Sequence, residues 1–499
     1  MRNYIGKHFA HYTLMLNKLI LAIITILAAA AQPAMAARPK QGAVDRFTSS
    51  KAISHALAGV CVMDLATGRV VAGCNIDKGI VSASTMKVVT AASALELLGK
   101  DFTYHTRVYA IGDIDPTGRL TGKIRVVGGG DPTLGSRHFK ERTAFVDTLV
   151  QCLQAAGITE IRGSIELDRS AIPDQPVPGY WMVEDIPESY GTGYHAINFA
   201  DNQALVKFTR QWDGTYLAAT ARKIPGLRLN CHVREQFKGD TINRPGLTSR
   251  LYYNGGLLQI DGIVARRRRG RENFASWYAN PAPHRLLADS IEQSLSSHDI
   301  GFHPSTEGLS HHTGDTLQLL DYPSPPLTEI LESMLFRSDN MYAEGVLRTL
   351  PLAAGLPATT ANGVRIVNKL WKSRGLDTDG LAMKDGSGLA RNGWATPQFL
   401  CDVLRLAYAD RDSIGADYSQ LLPRAGREGS VKRLLLRTPL RGKIVLKSGS
   451  MGGVQCYAGY YPASRPRYAV AIMVNNFPSK RSQVVSQVQT LLLDLFGSN

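Results

Sequence analysis

Ser84-Thr85-Met86-Lys87-Val88-Val89-Thr90-Ala91-Ala92-Ser93-Ala94-Leu95-Glu96-Leu97-Leu98 is the stretch on which the reading of this chain turns. Met86, Val88, Val89, Ala91, Ala92, Leu95, Leu97 and Leu98 leave a helix over 84–98 almost no polar face, which predicts a helix inside a core with Gly99 as its C-cap. On such a helix Ser84 and Lys87 share one face. A serine hydroxyl is a poor nucleophile until a base takes its proton, and a desolvated lysine becomes a neutral base as its pKa falls. The N–H groups at a helix N-terminus also point toward a developing oxyanion. Ser-x-x-Lys is common on surface helices, but there the lysine is solvated. Here Lys87 is otherwise an unexplained charge in a core helix.

Two further triplets carry chemistry. Ser338-Asp339-Asn340 follows the apolar helical segment 327–336. Its hydroxyl suits a proton relay and its amide a substrate carbonyl, although a cluster of helix caps reads the same way. Lys447-Ser448-Gly449 follows a strand-like run at 443–446. A cation and a hydroxyl at a strand end bind a carboxylate, and Gly449 lets the backbone approach a ligand closely. Each triplet is a weak signal alone; their order along the chain, on helix, helix and strand, is a strong one.

Outside these motifs the chain reads as several cores. Its 499 residues exceed one ordinary domain. Strand-like runs at 58–74, 443–446, 454–461 and 468–474 and a closing amphipathic helix over 482–496 suggest that the two ends of the chain form one domain. Strand and turn signals at 123–127, 161–167, 204–209 and 257–264 make the middle β-rich inserted material. The expected division is a signal peptide over 1–36, a discontinuous catalytic domain of 37–100 and 325–499, and inserted domains over 101–324. The leader follows from Arg2, Lys7 and Lys18, the apolar run 19–31, and Ala34-Met35-Ala36. That run is shorter than the roughly 20 residues a spanning helix needs, so no stable membrane span is expected after cleavage.

The formal charge of +15 points to an anionic environment or partner. Nucleic acid is not expected, because no zinc-ligand spacing, RNA-binding signature or phosphate loop accompanies the charge. The arginine run 266–269 reads as a solvated turn. Export makes the six cysteines candidates for disulfides. A hairpin symmetric about Ala66-Thr67-Gly68 would set Cys61 opposite Cys74, as a disulfide or as two small buried hydrophobes.

Ser84-x-x-Lys87, Ser338-x-Asn340 and Lys447-Ser448-Gly449 together resemble the penicillin-recognising serine enzymes. Ser338 lies 254 positions after Ser84, a gap too large for compact β-lactamases. In this the chain is similar to the class C low-molecular-mass penicillin-binding proteins of the D-Ala-D-Ala carboxypeptidase/endopeptidase family (peptidase family S13), which carry a large insertion between the first two motifs. Gly128-Gly129-Gly130-Asp131-Pro132, Tyr190-Gly191, Ala196-Ile197-Asn198, Ala343-Glu344, Asp385-Gly386-Ser387-Gly388-Leu389 and Leu422-Pro423 extend the likeness across the mature chain. Turn chemistry accounts for most of these. Ser448 stands where the family often has threonine, and 181–190 matches only in part, which leaves a substrate role for Glu184 or Asp185 open.

The resemblance implies an α/β (α+β) fold with a transpeptidase/β-lactamase-like domain and a large β-rich insertion. It implies a periplasmic serine hydrolase acting on peptidoglycan stem peptides and acylated by β-lactam antibiotics, with no cofactor and no metal. In the implied scheme Ser84 attacks, Lys87 accepts its proton and Ser338 relays a proton to the leaving amine. Asn340 orients the peptide, Lys447 and Ser448 hold the terminal carboxylate beside Gly449, and the N–H groups of Ser84 and Ser450 form the oxyanion hole. Two other readings share these motifs: a serine β-lactamase, which needs fast deacylation, and a non-catalytic muropeptide binder, which would lack one of the named groups.

Overall fold

A computed structural model describes residues 41–497 apart from 174, 238–245, 267–271, 306–314 and 413–416. The expected leader and most of the arginine run 266–269 therefore lie outside the described residues.

The two ends of the chain meet in one five-stranded sheet. Its strand order is Val445–Met451, Val454–Tyr461, Tyr468–Asn475, Leu57–Asp64, Val70–Cys74, antiparallel throughout. Successive side chains of a strand point to opposite faces, and here both faces are apolar. Val60, Val62, Val470 and Ile472 pack in a core with helices Gln41–Thr48 and Arg481–Phe496. Cys61, Met63, Ala471 and Met473 pack in the other, larger core with helices Met86–Leu98, Leu327–Arg337, Asn340–Ala353 and Pro397–Ala409. Covering both faces explains why Val454–Tyr461 and Tyr468–Asn475 are buried at every position. Helix Met86–Leu98 is buried continuously from Met86 to Leu95, as its lack of a polar face requires.

The hairpin does not bring the two cysteines together. A register shift between Val62 and Met63 sets Cys74 opposite Val60 and Cys61 opposite Gly73. Cys61 is fully buried with a free thiol, as are all the cysteines in this structure. The bulge breaks the symmetry from which the pairing was expected.

Residues 105–323 build three more sheets. One runs Gly301–Pro304, Glu160–Asp168, Arg119–Val127, His105–Ile114, Thr316–Pro323. Helices Phe145–Ala155 and Pro283–Ser297 share its core, so the middle of the chain holds helices that its strand and turn signals did not announce. Two three-stranded sheets share a smaller core around Val206, Phe208, Tyr216, Leu258 and Ile260. The chain leaves and re-enters side by side, with Ser324 N donating to Tyr104 O (2.8 Å) and Leu327 N to Phe102 O (2.9 Å).

Candidate active site

The three motifs converge where helix Met86–Leu98, the junction of helices Leu327–Arg337 and Asn340–Ala353, and strand Val445–Met451 come together. Ser84 does not sit in the helix proper. It occupies a 3-10 turn, Ala83–Thr85, immediately before Met86. Ala83 holds a left-handed φ of +44°, an unfavourable conformation for a side chain with a Cβ. The turn is packed from two sides. A Cβ on Gly388 would lie 1.9 Å from Ala83 O, and one on Gly449 would lie 2.8 Å from Ser82 O and 2.9 Å from Ser84 N. Gly449 thus brings the strand against the backbone of the Ser84 turn itself, whereas the sequence suggested only close approach to a ligand.

Lys87 is fully buried, and its Nζ has three polar neighbours: Ser84 Oγ at 3.1 Å, Asn340 Oδ1 at 2.6 Å and the Ser387 carbonyl at 2.8 Å. Burial pulls its pKa down to about 8, against the opposing pull of Asp385, Glu344 and Asp339. Lys447, also fully buried, donates to Ser338 Oγ at 2.9 Å. Its pKa lies well below the usual lysine range because of burial and the nearby Lys87 charge. Two buried ammonium groups so close disfavour each other, so the site favours losing a proton from one of them.

Ser338 is the residue between two helices. It ends Leu327–Arg337 with a left-handed φ of +63°, while Asp339 caps the next helix by accepting from Tyr342 N at 3.1 Å. The cap reading of this triplet and the site reading are both realised, because the sharp turn presents Ser338 and Asn340 together. Asn340 is engaged at both ends of its amide: Oδ1 accepts from Lys87, and Nδ2 donates to the Tyr190 carbonyl at 2.8 Å. The expected task of orienting a substrate peptide would need one of these bonds to open.

Lys447-Ser448-Gly449 lies within strand Val445–Met451, not beyond its end, because the ladder with Val454–Tyr461 continues to Met451 opposite Val454. Ser448 Oγ lies 2.7 Å from Ser430 Oγ. Ser450 is exposed, and its Oγ accepts from Arg481 Nε at 3.0 Å.

A second layer was invisible as chemistry in the sequence, although its residues stood in turn-like segments. The loop Asp385–Leu389 delivers the Ser387 carbonyl to Lys87, and buried carboxylates hold the loop in shape. Glu344 accepts from Gly386 N (3.1 Å) and Ser387 N (2.9 Å). Asp385 accepts from Gly388 N (2.7 Å), Ala390 N (2.7 Å) and, from the middle of the chain, Trp181 Nε1 (2.8 Å). Burial, with the Asp385 charge beside it, pushes the Glu344 carboxyl up to about 8. Tyr190 likewise reaches the site from the middle of the chain, and its hydroxyl donates to Asp185 Oδ1 at 3.0 Å. Among the described residues no group of histidines, cysteines and carboxylates is arranged to hold a metal ion.

A buried lysine beside a serine on a strained turn, a second lysine–serine pair opposite and a β-strand at the edge define a serine acyl-transfer type of site. Comparison with known proteins agrees with this class. Residues 40–493 match the D-Ala-D-Ala carboxypeptidase 3 (S13) family, and the chain belongs to that family. It is 26% identical over 461 residues to a D-alanyl-D-alanine carboxypeptidase of Actinomadura sp. (strain R39), covering 87% of this chain and 80% of the relative. It is 24% identical over 459 residues to a D-alanyl-D-alanine carboxypeptidase of Haemophilus influenzae, covering 88% and 91%. The crystal structure of penicillin binding protein 4 from Haemophilus influenzae superposes with a TM-score of 0.75 at 22% identity, covering 91% of this chain and 99% of that one. It shows the same α+β fold. That protein has also been solved in complex with a β-lactam.

Proposed function

We propose that the protein is a serine D-alanyl-D-alanine carboxypeptidase and DD-endopeptidase that works on peptidoglycan through an acyl-enzyme on Ser84. The surroundings of Lys87 carry this reading. A neutral amine has two N–H bonds and one lone pair. Asn340 Oδ1 and the Ser387 carbonyl only accept, so they take the two N–H bonds, and the lone pair is left for the Ser84 hydroxyl. The base is oriented before substrate arrives.

Ser84 attacks the carbonyl of the penultimate D-alanine and its proton passes to Lys87. The Ser338 hydroxyl, paired with Lys447, returns a proton to the leaving amine, and water hydrolyses the ester. Lys447 and Ser448 receive the terminal carboxylate. The tight seat of Gly449 against Ser84 N supports an oxyanion hole formed by the N–H groups of Ser84 and Ser450. Asn340, held by Tyr190, acts here as a positioning residue for Lys87.

The shared sheet of 57–74 and 445–475 supports a catalytic domain made of 37–100 and 325–499, with 101–324 inserted to restrict the cleft and steer the polymer. The basic n-region and apolar run within 1–36 support export to the periplasm, and no described helix is long and apolar enough to cross a membrane. Mass spectrometry of muropeptides after digestion tests the reading, with Ser84→Ala as control. Loss of terminal D-alanine and cleavage of cross-linked dimers are expected from the wild type, with neither from the variant. Rapid multiple turnover of penicillin with no adduct on Ser84 would make the protein a β-lactamase instead.

A further inference from the structure

The middle of the chain holds a cavity of about 730 Å³ that shares no lining residue with the group around Ser84. Arg169, Arg228 and Arg285 line it, and no aspartate or glutamate does among the described residues. Arg228 and Arg285 form no ion pair there: Arg228 donates only to the Gly255 carbonyl, at 3.2 Å. Helix Pro283–Ser297 starts at the cavity wall. Its N-cap, Ala282, offers no side-chain acceptor and its first turn contains no acid, so the N–H groups of that turn keep their partial positive charge.

His195 supplies an independent observation. It lines the same cavity, is only 7% exposed, and its Nε2 has no hydrogen-bond partner. A buried ring nitrogen left unpaired costs free energy unless something binds it. Burial, with His284 and Arg169 adding to it, pulls its pKa down to about 3, so the ring is neutral and an N–H on Nε2 is free to donate. The positive charge that depresses His195 would equally attract an anion.

We propose that this cavity is an accessory binding site for an oxyanion, held by Arg228, Arg285 and the open first turn of helix Pro283–Ser297, and that its natural source is the carboxylate of an acidic peptide such as a second peptidoglycan stem. Guanidinium groups bind carboxylates in paired N–H···O contacts. Val177, Ile186 and Pro281 give the walls apolar patches for the aliphatic part of a peptide, which a bare phosphate would not use. The preference for an oxyanion is independent of the proposed function; the stem peptide as its source rests on that function.

Isothermal titration of the mature protein with a purified disaccharide tetrapeptide and, separately, with inorganic phosphate tests the site. Three proteins are compared: wild type, Arg228→Gln/Arg285→Gln, and Val177→Trp, which fills the cavity and keeps its charges. Fluorescent-penicillin labelling is read on each as a separate report on Ser84. The expected result is saturable muropeptide binding by wild type, tighter than phosphate, weakened tenfold or more in both variants while labelling is unchanged. Equal muropeptide affinity in all three proteins, or no saturable binding, overturns the site. Phosphate binding more tightly than the muropeptide overturns the peptide as its source. Absent labelling in the wild type would count against the Ser84 reading alone.

Discussion

The protein has two cationic centres built on opposite principles. Around Ser84 the cations are lysines, fully buried and surrounded by carbonyl, amide and hydroxyl oxygens. In the cavity of the middle region they are arginines, with Arg228 and Arg285 exposed to solvent. Burying lysine moves its pKa toward neutrality and makes it a proton acceptor, whereas arginine keeps its proton in any protein environment. The first centre is suited to moving a proton and the second to holding a charge.

Replacing one kind of cation by the other at the first centre is the sharpest way to break this contrast. Lys87→Arg keeps the charge and removes the lone pair. Acylation by a fluorescent penicillin should fall by about 10³-fold, the share that general-base catalysis supplies. A variant that labels within a few-fold of wild type would mean that Lys87 is not the base.

Gly449→Val tests whether the strand must lie flush with the Ser84 turn. The added Cβ meets backbone atoms of Ser82, Ser84 and Thr85 within 2.9 Å, and backbone cannot rotate away as a side chain can. A displacement of this kind should slow acylation by about 10- to 100-fold with the circular dichroism spectrum preserved. Unchanged labelling kinetics would show that the turn tolerates a looser strand.

The pH dependence follows from the lowered pKa of Lys87. Only its neutral form accepts the Ser84 proton, and that fraction grows as pH rises through about 8, so the acylation rate should climb across that interval and level off above it. The sign for stability is the same. Between about 8 and the ordinary lysine value of 10.5 the unfolded chain holds more protons than the folded one, so the stability assigned to this group increases with pH in that window. Stopped-flow labelling across the range measures the first effect, and a rate that falls through pH 8 would contradict it.

The smallest effect concerns the contact between the two regions. Trp181→Phe removes the donor that the middle of the chain gives to Asp385 and leaves that carboxylate its backbone partners. Thermal denaturation should report a loss of about 1–2 kcal/mol, with acylation reduced by no more than a few-fold. An undisturbed melting curve would show that the middle region is not tied to the site through this bond.

Much of the site was legible from local pattern. Ser84 and Lys87 stand three residues apart on one helical turn, and the apolar residues after them leave that helix nowhere to go but a core. Ser338 and Asn340 are close because a helix ends and another begins between them. Those relations depend on spacing alone. The Cys61–Cys74 expectation failed because a single bulge shifts a register, and nothing in the residues of a hairpin announces a bulge. Lys447 proved to lie inside its strand because pairing with Val454–Tyr461 extends it, a property of the partner and not of the segment.

The sequence by itself thus determined the three motifs, the apolar helix, the strands at both ends of the chain and the long stretch between the first two motifs. Tertiary structure alone decided that the Ser387 carbonyl and Asn340 Oδ1 would take the two N–H bonds of Lys87, that Gly449 would seat against the Ser84 turn, and that three arginines far apart in sequence would share one cavity. The physical reason is that helical spacing and hydrophobic period act over a few residues. Hydrogen-bond direction, desolvation and charge depend on groups brought together from hundreds of residues apart, and only the folded chain fixes those.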